Sequence, residues 1–294
     1  MFKGVYTAII TPFKNNKIDL DNFEKLIERQ KNAKVNGIVI AGCTGESFTL
    51  TDEEKIELTK IALKYKTDNF KIIVGTGCSS TEETINISKK IEKLSPDALL
   101  IITPYGNKPS QEGLFIHYKK IAENVSLPIM LYNVPGRTSV NLLPETVSRL
   151  SKIKNIVALK QALNDIDSMS KILQIAPEID LLSGEDSLTL PLLSIGGKGV
   201  VCTVSNIIPE AMVSLCNSFF EGNLEKAKEI HLNIQNFIKA CFIESNPTPL
   251  KYAYKYLGLS NGELREPLCE VSDSSKKIIE AEINRLRELK LLYI

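Results

Sequence analysis

Apolar and polar positions fall in blocks along the chain. Eight short runs rich in Val, Ile and Leu recur at Val5–Ile10, Gly37–Ala41, Lys71–Val74, Ala98–Ile102, Pro128–Tyr132, Ile156–Lys160, Asp180–Leu182 and Gly199–Cys202. Most are followed within two residues by Gly, Pro, Asn or Ser, which punctuate strands. Between them lie stretches of helical period; Leu20, Phe23, Leu26 and Ile27 share one face. Thr51 with Glu54 and Ser80 with Glu83 have the spacing of capping boxes, and Pro144 and Pro209 suit a first helical turn. The pattern predicts eight strands, each followed by a helix.

Strands that are apolar on both faces and separated by helices require a parallel sheet covered by helices. Eight such units in some 220 residues predict a closed (β/α)8 TIM barrel. An open doubly wound sheet is the alternative, but it usually has fewer strands and often a glycine fingerprint after the first. Here the first run leads into "ITPFKNN". Past residue 222 the pattern is helical only, over Leu224–Ala240, Pro247–Tyr256 and Ser272–Leu291. The expected organisation is a catalytic barrel over 1–222 and a C-terminal helical extension over 223–294.

Composition narrows the partners. Net charge is +1, from 36 basic and 35 acidic residues, so nothing favours nucleic acid or an acidic membrane. No run approaches the roughly 18 apolar residues of a membrane span, and no signal-like leader precedes the first strand. The six cysteines (43, 78, 202, 216, 241 and 269) form no CxxC pair, which is the usage of a reducing compartment. The expected location is cytoplasmic.

In a barrel, chemistry collects at the C-terminal ends of the strands. The run "IVALK" ends in Lys160, and a charged residue at the dry end of a strand needs a reason. An amine held in apolar surroundings loses solvation of its ammonium form and becomes a nucleophile able to form a Schiff base with a carbonyl. The bland alternative is a lysine that snorkels to water. Tyr132 ends the preceding strand, so both side chains can face one mouth, where a phenol can move protons. In "GCTGES" a glycine-rich turn presents backbone N–H groups and the Thr44 hydroxyl to an anion, although such turns are common. In "YNVPGRT" a stiff turn fixes Arg137 at a set distance from Tyr132, where it could clamp a carboxylate.

Other chemistries fit less well. The two histidines, His117 and His231, lie on helical patterns away from the strand ends, where surface placement is expected; no metal-ligand cluster is indicated. "GGKGVV" at 196–201 leads into the eighth strand, at the end opposite the mouth, and suits a close turn better than a phosphate cup. There is no Walker A pattern and no Gly-x-Ser-x-Gly elbow.

The ordered series "GCTGES", "GTG", "TPYGNKPSQEG", "YNVPGRT", "VALK" and "LLSGED" resembles the dihydrodipicolinate synthase / N-acetylneuraminate lyase family of class I aldolases. The similarity runs through essentially the whole chain, including "ESNPTPLKYA" in the tail. The arginine of "YNVPGRT" is characteristic of the family's synthase branch. The resemblance implies condensation of pyruvate with L-aspartate 4-semialdehyde on the diaminopimelate route to lysine, with no metal or organic cofactor. By the same resemblance Lys160 forms the Schiff base, Tyr132 donates and accepts protons, and Thr44 with its N–H binds the pyruvate carboxylate. Gly184 and the Val201 carbonyl line the pocket, and Arg137 binds the carboxylate of the aldehyde. A homotetramer built as a dimer of dimers is implied.

Three positions depart from the synthase pattern. Cys43 stands where a second threonine usually precedes Thr44, and Gly106 stands where a tyrosine usually reaches across a dimer interface. These two side chains and Tyr132 form the family's proton relay. Gln161 replaces the glutamate that usually follows the lysine. The pyruvate half of the chemistry is retained in Lys160, Tyr132 and Thr44, and the departures bear on the second half. The changes leave open an aldolase with another aldehyde partner, or a weakly active or non-catalytic paralogue that binds 2-oxo acids.

Overall fold

The computed structural model describes residues 1–293; Ile294, the end of the expected extension, lies outside the described residues. Eight parallel strands close into a barrel: β1 Gly4–Ala8, β2 Gly37–Ile40, β3 Lys71–Gly75, β4 Ala98–Ile102, β5 Ile129–Asn133, β6 Ile156–Gln161, β7 Asp180–Ser183 and β8 Gly199–Cys202. Each run read as a strand from the sequence is one, with ends shifted by two residues at most. β1 stops at Ala8 because the Ile10 N–H leaves the ladder for the Asn206 side chain, at 3.2 Å. Closure between β1 and β8 pairs Gly4 with Gly199, where a Cβ on Gly199 would lie 2.0 Å from the Gly4 carbonyl oxygen. The glycines of "GGKGVV" therefore serve a close approach of backbones.

Period-2 alternation divides the apolar residues into two layers. Tyr6, Val39, Ile73, Leu100, Met130, Ala158, Leu182 and Val201, one from each strand, pack inside the barrel. Their neighbours Val5, Ile38, Ile72, Leu99, Leu131, Leu159, Leu181 and Val200 pack in the outer layer, with residues of the surrounding helices. The barrel interior is thus filled, and what remains accessible is the mouth at the strands' C-terminal ends.

Helix starts follow the signals in the sequence where the side chains can comply. Thr51 and Glu54 make both bonds of a capping box, and Pro144 and Pro209 open their helices. Ser80 makes only half of one: its hydroxyl accepts from the Glu83 N–H at 3.3 Å, while the Glu83 carboxylate turns towards Cys78 Sγ, 3.7 Å away. The tail folds as helices Leu224–Cys241, Thr248–Tyr256 and Asp273–Glu288. The last is shorter than the periodicity predicts because Lys290 takes φ +55° and the Leu291 N–H folds back to the Leu286 carbonyl, a left-handed helix stop.

The surface placement expected for His117 is incorrect. It is buried, with Nδ1 2.8 Å from Thr81 Oγ1 and its ring edge-on to Tyr118, and burial pushes its pKa down to about 4. His231 is half-buried against Gln235. No helix among the described residues is long and apolar enough to cross a membrane.

Candidate active site

Lys160 is an inward-facing residue of β6, and its register partner on β5 is Tyr132. The two side chains therefore emerge side by side at the mouth. Lys160 Nζ stands 4.3 Å from the centroid of the Tyr132 ring. Lys160 is only 5 % exposed, so it does not snorkel. Burial pushes its amine below the ordinary lysine value, against the opposing pull of Cys43, Asp186 and Glu185. Burial also holds the Tyr132 phenol well above its ordinary value, so the hydroxyl stays protonated. That hydroxyl donates to Cys43 Sγ at 3.7 Å.

The turn after β2 closes on itself through Gly45 N–H to Gly42 O (3.0 Å), Glu46 N–H to Cys43 O (3.1 Å) and Ser47 N–H to Gly42 O (3.2 Å). Among the described residues the N–H groups of Cys43 and Thr44 donate to no acceptor. Two adjacent free donors beside a hydroxyl suit one carboxylate. Thr44 Oγ1 accepts from Asn246 Nδ2 at 3.0 Å and lies 3.5 Å from Thr203 Oγ1. Arg137 sits in the short helix Pro135–Thr138 just past β5, with Nη2 donating to the Asn246 carbonyl at 2.6 Å.

Lys160, Tyr132, Thr44, Arg137 and Gly184 line one cavity of about 360 Å³. Gly184 must lack a side chain, since a Cβ there would lie 2.7 Å from Ala162 Cβ. Cys43 instead faces a recess of about 10 Å³ on the other side of Tyr132, about the size of one water. Val201 packs inside the barrel below the mouth, and Thr203, two residues further on, lines the cavity in its place. Gln161 points away from the mouth, its Oε1 accepting from Asn133 Nδ2 at 3.0 Å. Gly106 is exposed, with nothing within 4 Å of the position a Cβ would take.

Asn246, Thr203 and Glu185 also line the cavity and have no role in the sequence reading. Asn246 lies 202 positions from Thr44 and meets it only through the fold; its Oδ1 is buried without a partner. Thr203 follows β8, and Glu185 sits beside Gly184 with its carboxyl pushed upwards by burial and by Asp186. Asp186 itself is buried and accepts from the Thr203 and Val204 N–H groups, which fixes the end of β8. "LLSGED" and "ESNPTPLKYA" contain two of these residues, but no spacing rule links them to Lys160. A larger recess of about 690 Å³ lies elsewhere, between Asn16, Thr49, Glu54 and Glu263. Its one cation, Arg265, is already bound to Glu54 and to the Thr49 and Asn16 carbonyls, and no lysine, cysteine or histidine lines it.

Known proteins match nearly the whole chain. The model of the dihydrodipicolinate synthetase family matches residues 1–286. The 4-hydroxy-tetrahydrodipicolinate synthase of Methanocaldococcus jannaschii is 47% identical, with 99% of this chain and 100% of the relative covered. That of Endomicrobium trichonymphae is 45% identical, at the same coverage of 99% and 100%. The crystal structure of dihydrodipicolinate synthase from Thermotoga maritima superposes with a TM-score of 0.95 at 43% identity, covering 99% of this chain and 100% of that one. A closed (β/α)8 barrel with a lysine and a tyrosine paired at its mouth, matched over its length by these proteins, belongs to the dihydrodipicolinate synthetase family.

Proposed function

We propose that this chain is a 4-hydroxy-tetrahydrodipicolinate synthase, a lyase that condenses pyruvate with L-aspartate 4-semialdehyde in the diaminopimelate route to lysine. The observation that carries the reading is the buried Lys160 amine beside Tyr132 in a cavity shared with Thr44 and Arg137. The names of the relatives support the same activity.

The chemistry follows from the groups present. The neutral Lys160 amine attacks C2 of pyruvate, and the carbinolamine loses water to give an imine. Tyr132, whose phenol stays protonated, donates to the departing oxygen and takes a proton back from a neighbouring group in the next turn. The Thr44 hydroxyl and the free N–H groups of Cys43 and Thr44 hold the pyruvate carboxylate. Loss of a methyl proton converts the imine to an enamine, whose carbon attacks the aldehyde to form the new C–C bond. The aldehyde oxygen takes up a proton to become the hydroxyl. The substrate's own amine then attacks the imine carbon, releases Lys160 and closes the ring. Arg137, which lines the same cavity, clamps the aldehyde's carboxylate. Gly184 gives close access, and Val201 packs inside the barrel below the mouth.

Residues 1–222 are read as the catalytic barrel and 223–294 as its helical extension. The working assembly is a homotetramer in the cytoplasm, without metal or organic cofactor. The Cys43 thiol against Tyr132 and the exposed Gly106 favour a second reading, an aldolase of the same family using another aldehyde. An assay with pyruvate and a panel of aldehydes separates the two. Turnover highest with aspartate semialdehyde supports the synthase; higher turnover with another aldehyde supports the alternative.

A further inference from the structure

The turn that carries Thr44 is strained at both ends and tied from behind by charge. Ala41 and Glu46 take left-handed backbone conformations, with φ +52° and +55°. Residues with side chains adopt this region only at a cost, which their contacts must offset. Glycine would relieve the cost at position 46, yet the residue there is a glutamate. Its buried carboxylate forms an ion pair with Lys251, whose side chain is 1 % exposed.

The pair is closely fitted. Lys251 Nζ sits against Glu46 Oε1 and directs its aligned hydrogen bond to the Glu263 carbonyl at 2.8 Å. It also stands 4.1 Å from the centroid of the buried Phe13 ring. Glu46 Oε2 accepts the Arg265 N–H at 3.1 Å, while the Arg265 guanidinium is held by Glu54. Neither Glu46 nor Lys251 lines the cavity of Lys160.

The position of Lys251 gives the pair its consequence. Lys251 stands in the first turn of the helix Thr248–Tyr256, its N–H bonded to the Pro247 carbonyl. Asn246, two residues before that helix, holds Thr44 Oγ1 through its side chain and Arg137 through its carbonyl. One ionic link and one hydrogen bond thus join the same turn to the same segment of the tail.

We infer that Glu46 and Lys251 are positioning residues, whose buried ion pair holds the Gly42–Ser47 turn against the C-terminal extension so that Thr44 and the free N–H groups meet the pyruvate carboxylate. The inference rests on the pyruvate reading of the site. A buried ion pair is a weak source of stability, because desolvation offsets the attraction and an uncharged pair of similar volume can replace it at little loss. Removing one partner alone strands a charge. Stability and positioning can therefore be separated by removing both charges together.

The paired variant Glu46→Gln with Lys251→Met does this, keeping an acceptor for the Arg265 N–H. Thermal unfolding and borohydride trapping at graded pyruvate concentrations are read on this variant and on the parent. The paired variant should unfold within a few degrees of the parent. It should label Lys160 to the same extent at saturation but need about tenfold more pyruvate for half-labelling. A folded variant with unchanged half-saturation, whatever its thermal midpoint, would overturn the inference. If the paired variant does not fold, Glu46→Asp decides. It keeps the charge and shortens the carboxylate's reach by one methylene, so raised half-saturation supports the inference and an unchanged value overturns it. A parent that traps no pyruvate at all would overturn the reading of the site first, and the inference with it.

Discussion

Tyr132 and Lys160 are register partners on adjacent parallel strands, which places the amine 4.3 Å from the centre of the phenol ring. A pair set by backbone register needs no loop to hold it, so geometry at the bond-forming centre is as rigid as the barrel. Substitution of the hydroxyl alone tests its chemical part. Tyr132→Phe keeps the ring against Lys160 and removes the proton donor. It should slow imine formation and turnover by about 100-fold or more while leaving thermal stability close to the parent's. A variant that traps pyruvate at the parent's rate would remove Tyr132 from the proton path.

Arg137 is exposed and reaches the cavity from a four-residue helix. A charge-assisted clamp on the aldehyde's carboxylate contributes about 1.5–3 kcal/mol. Arg137→Ala should therefore weaken use of aspartate semialdehyde by roughly 10- to 100-fold and leave pyruvate trapping nearly intact. Because Arg137 also donates to the Asn246 carbonyl, equal loss of both would mark it as a support for Asn246 instead.

The Tyr132 hydroxyl meets a thiol at 3.7 Å, a long and weak hydrogen bond, and Gly106 offers no donor. Condensation, which must remove a carbon-bound proton and protonate the aldehyde oxygen, should be the slower half of the reaction. The double change Cys43→Thr with Gly106→Tyr should raise synthase turnover, measured by a coupled assay. If the parent already turns over as fast as its relatives and the double change slows it, protons travel by another route.

His117 gives a pH dependence of stability. Its pKa falls from an ordinary 6.5 to about 4 in the folded state, because burial penalises the charged ring. The unfolded chain thus binds a proton first as pH drops. This contribution to stability is complete above pH 6.5 and is lost as pH falls from there to about 4, by roughly 3 kcal/mol in all. His117→Gln should shrink the loss of stability between pH 7 and pH 4.5, followed by denaturant unfolding at each pH. An unchanged loss would place the acid sensitivity on other groups.

The barrel was legible because both layers of its core are written locally. "IVAL" before Lys160 is apolar on both faces, and eight such runs alternating with helical stretches fit a parallel sheet under helices. Adjacency of Tyr132 and Lys160 followed from strand order; their register did not, since a slip of one residue leaves the pattern of a doubly buried strand nearly unchanged. Asn246 and Lys251 were hidden for a different reason. Each meets the Thr44 turn across some 200 residues, and no periodicity encodes such a contact. His117 was misplaced because a helical face shows which residues it groups, and Thr81 and Tyr118, which cover the ring, belong to packing that the pattern does not specify.

The central claim, that Lys160 carries the chemistry, is tested most directly by reducing the protein with borohydride in the presence of pyruvate and mapping the modified peptide by mass. A buried amine with a depressed pKa, five per cent exposed and beside Tyr132, should be labelled with a pyruvate-derived mass on Lys160, and Lys160→Met should abolish the label. An unlabelled Lys160, or a label on another lysine, would contradict the account.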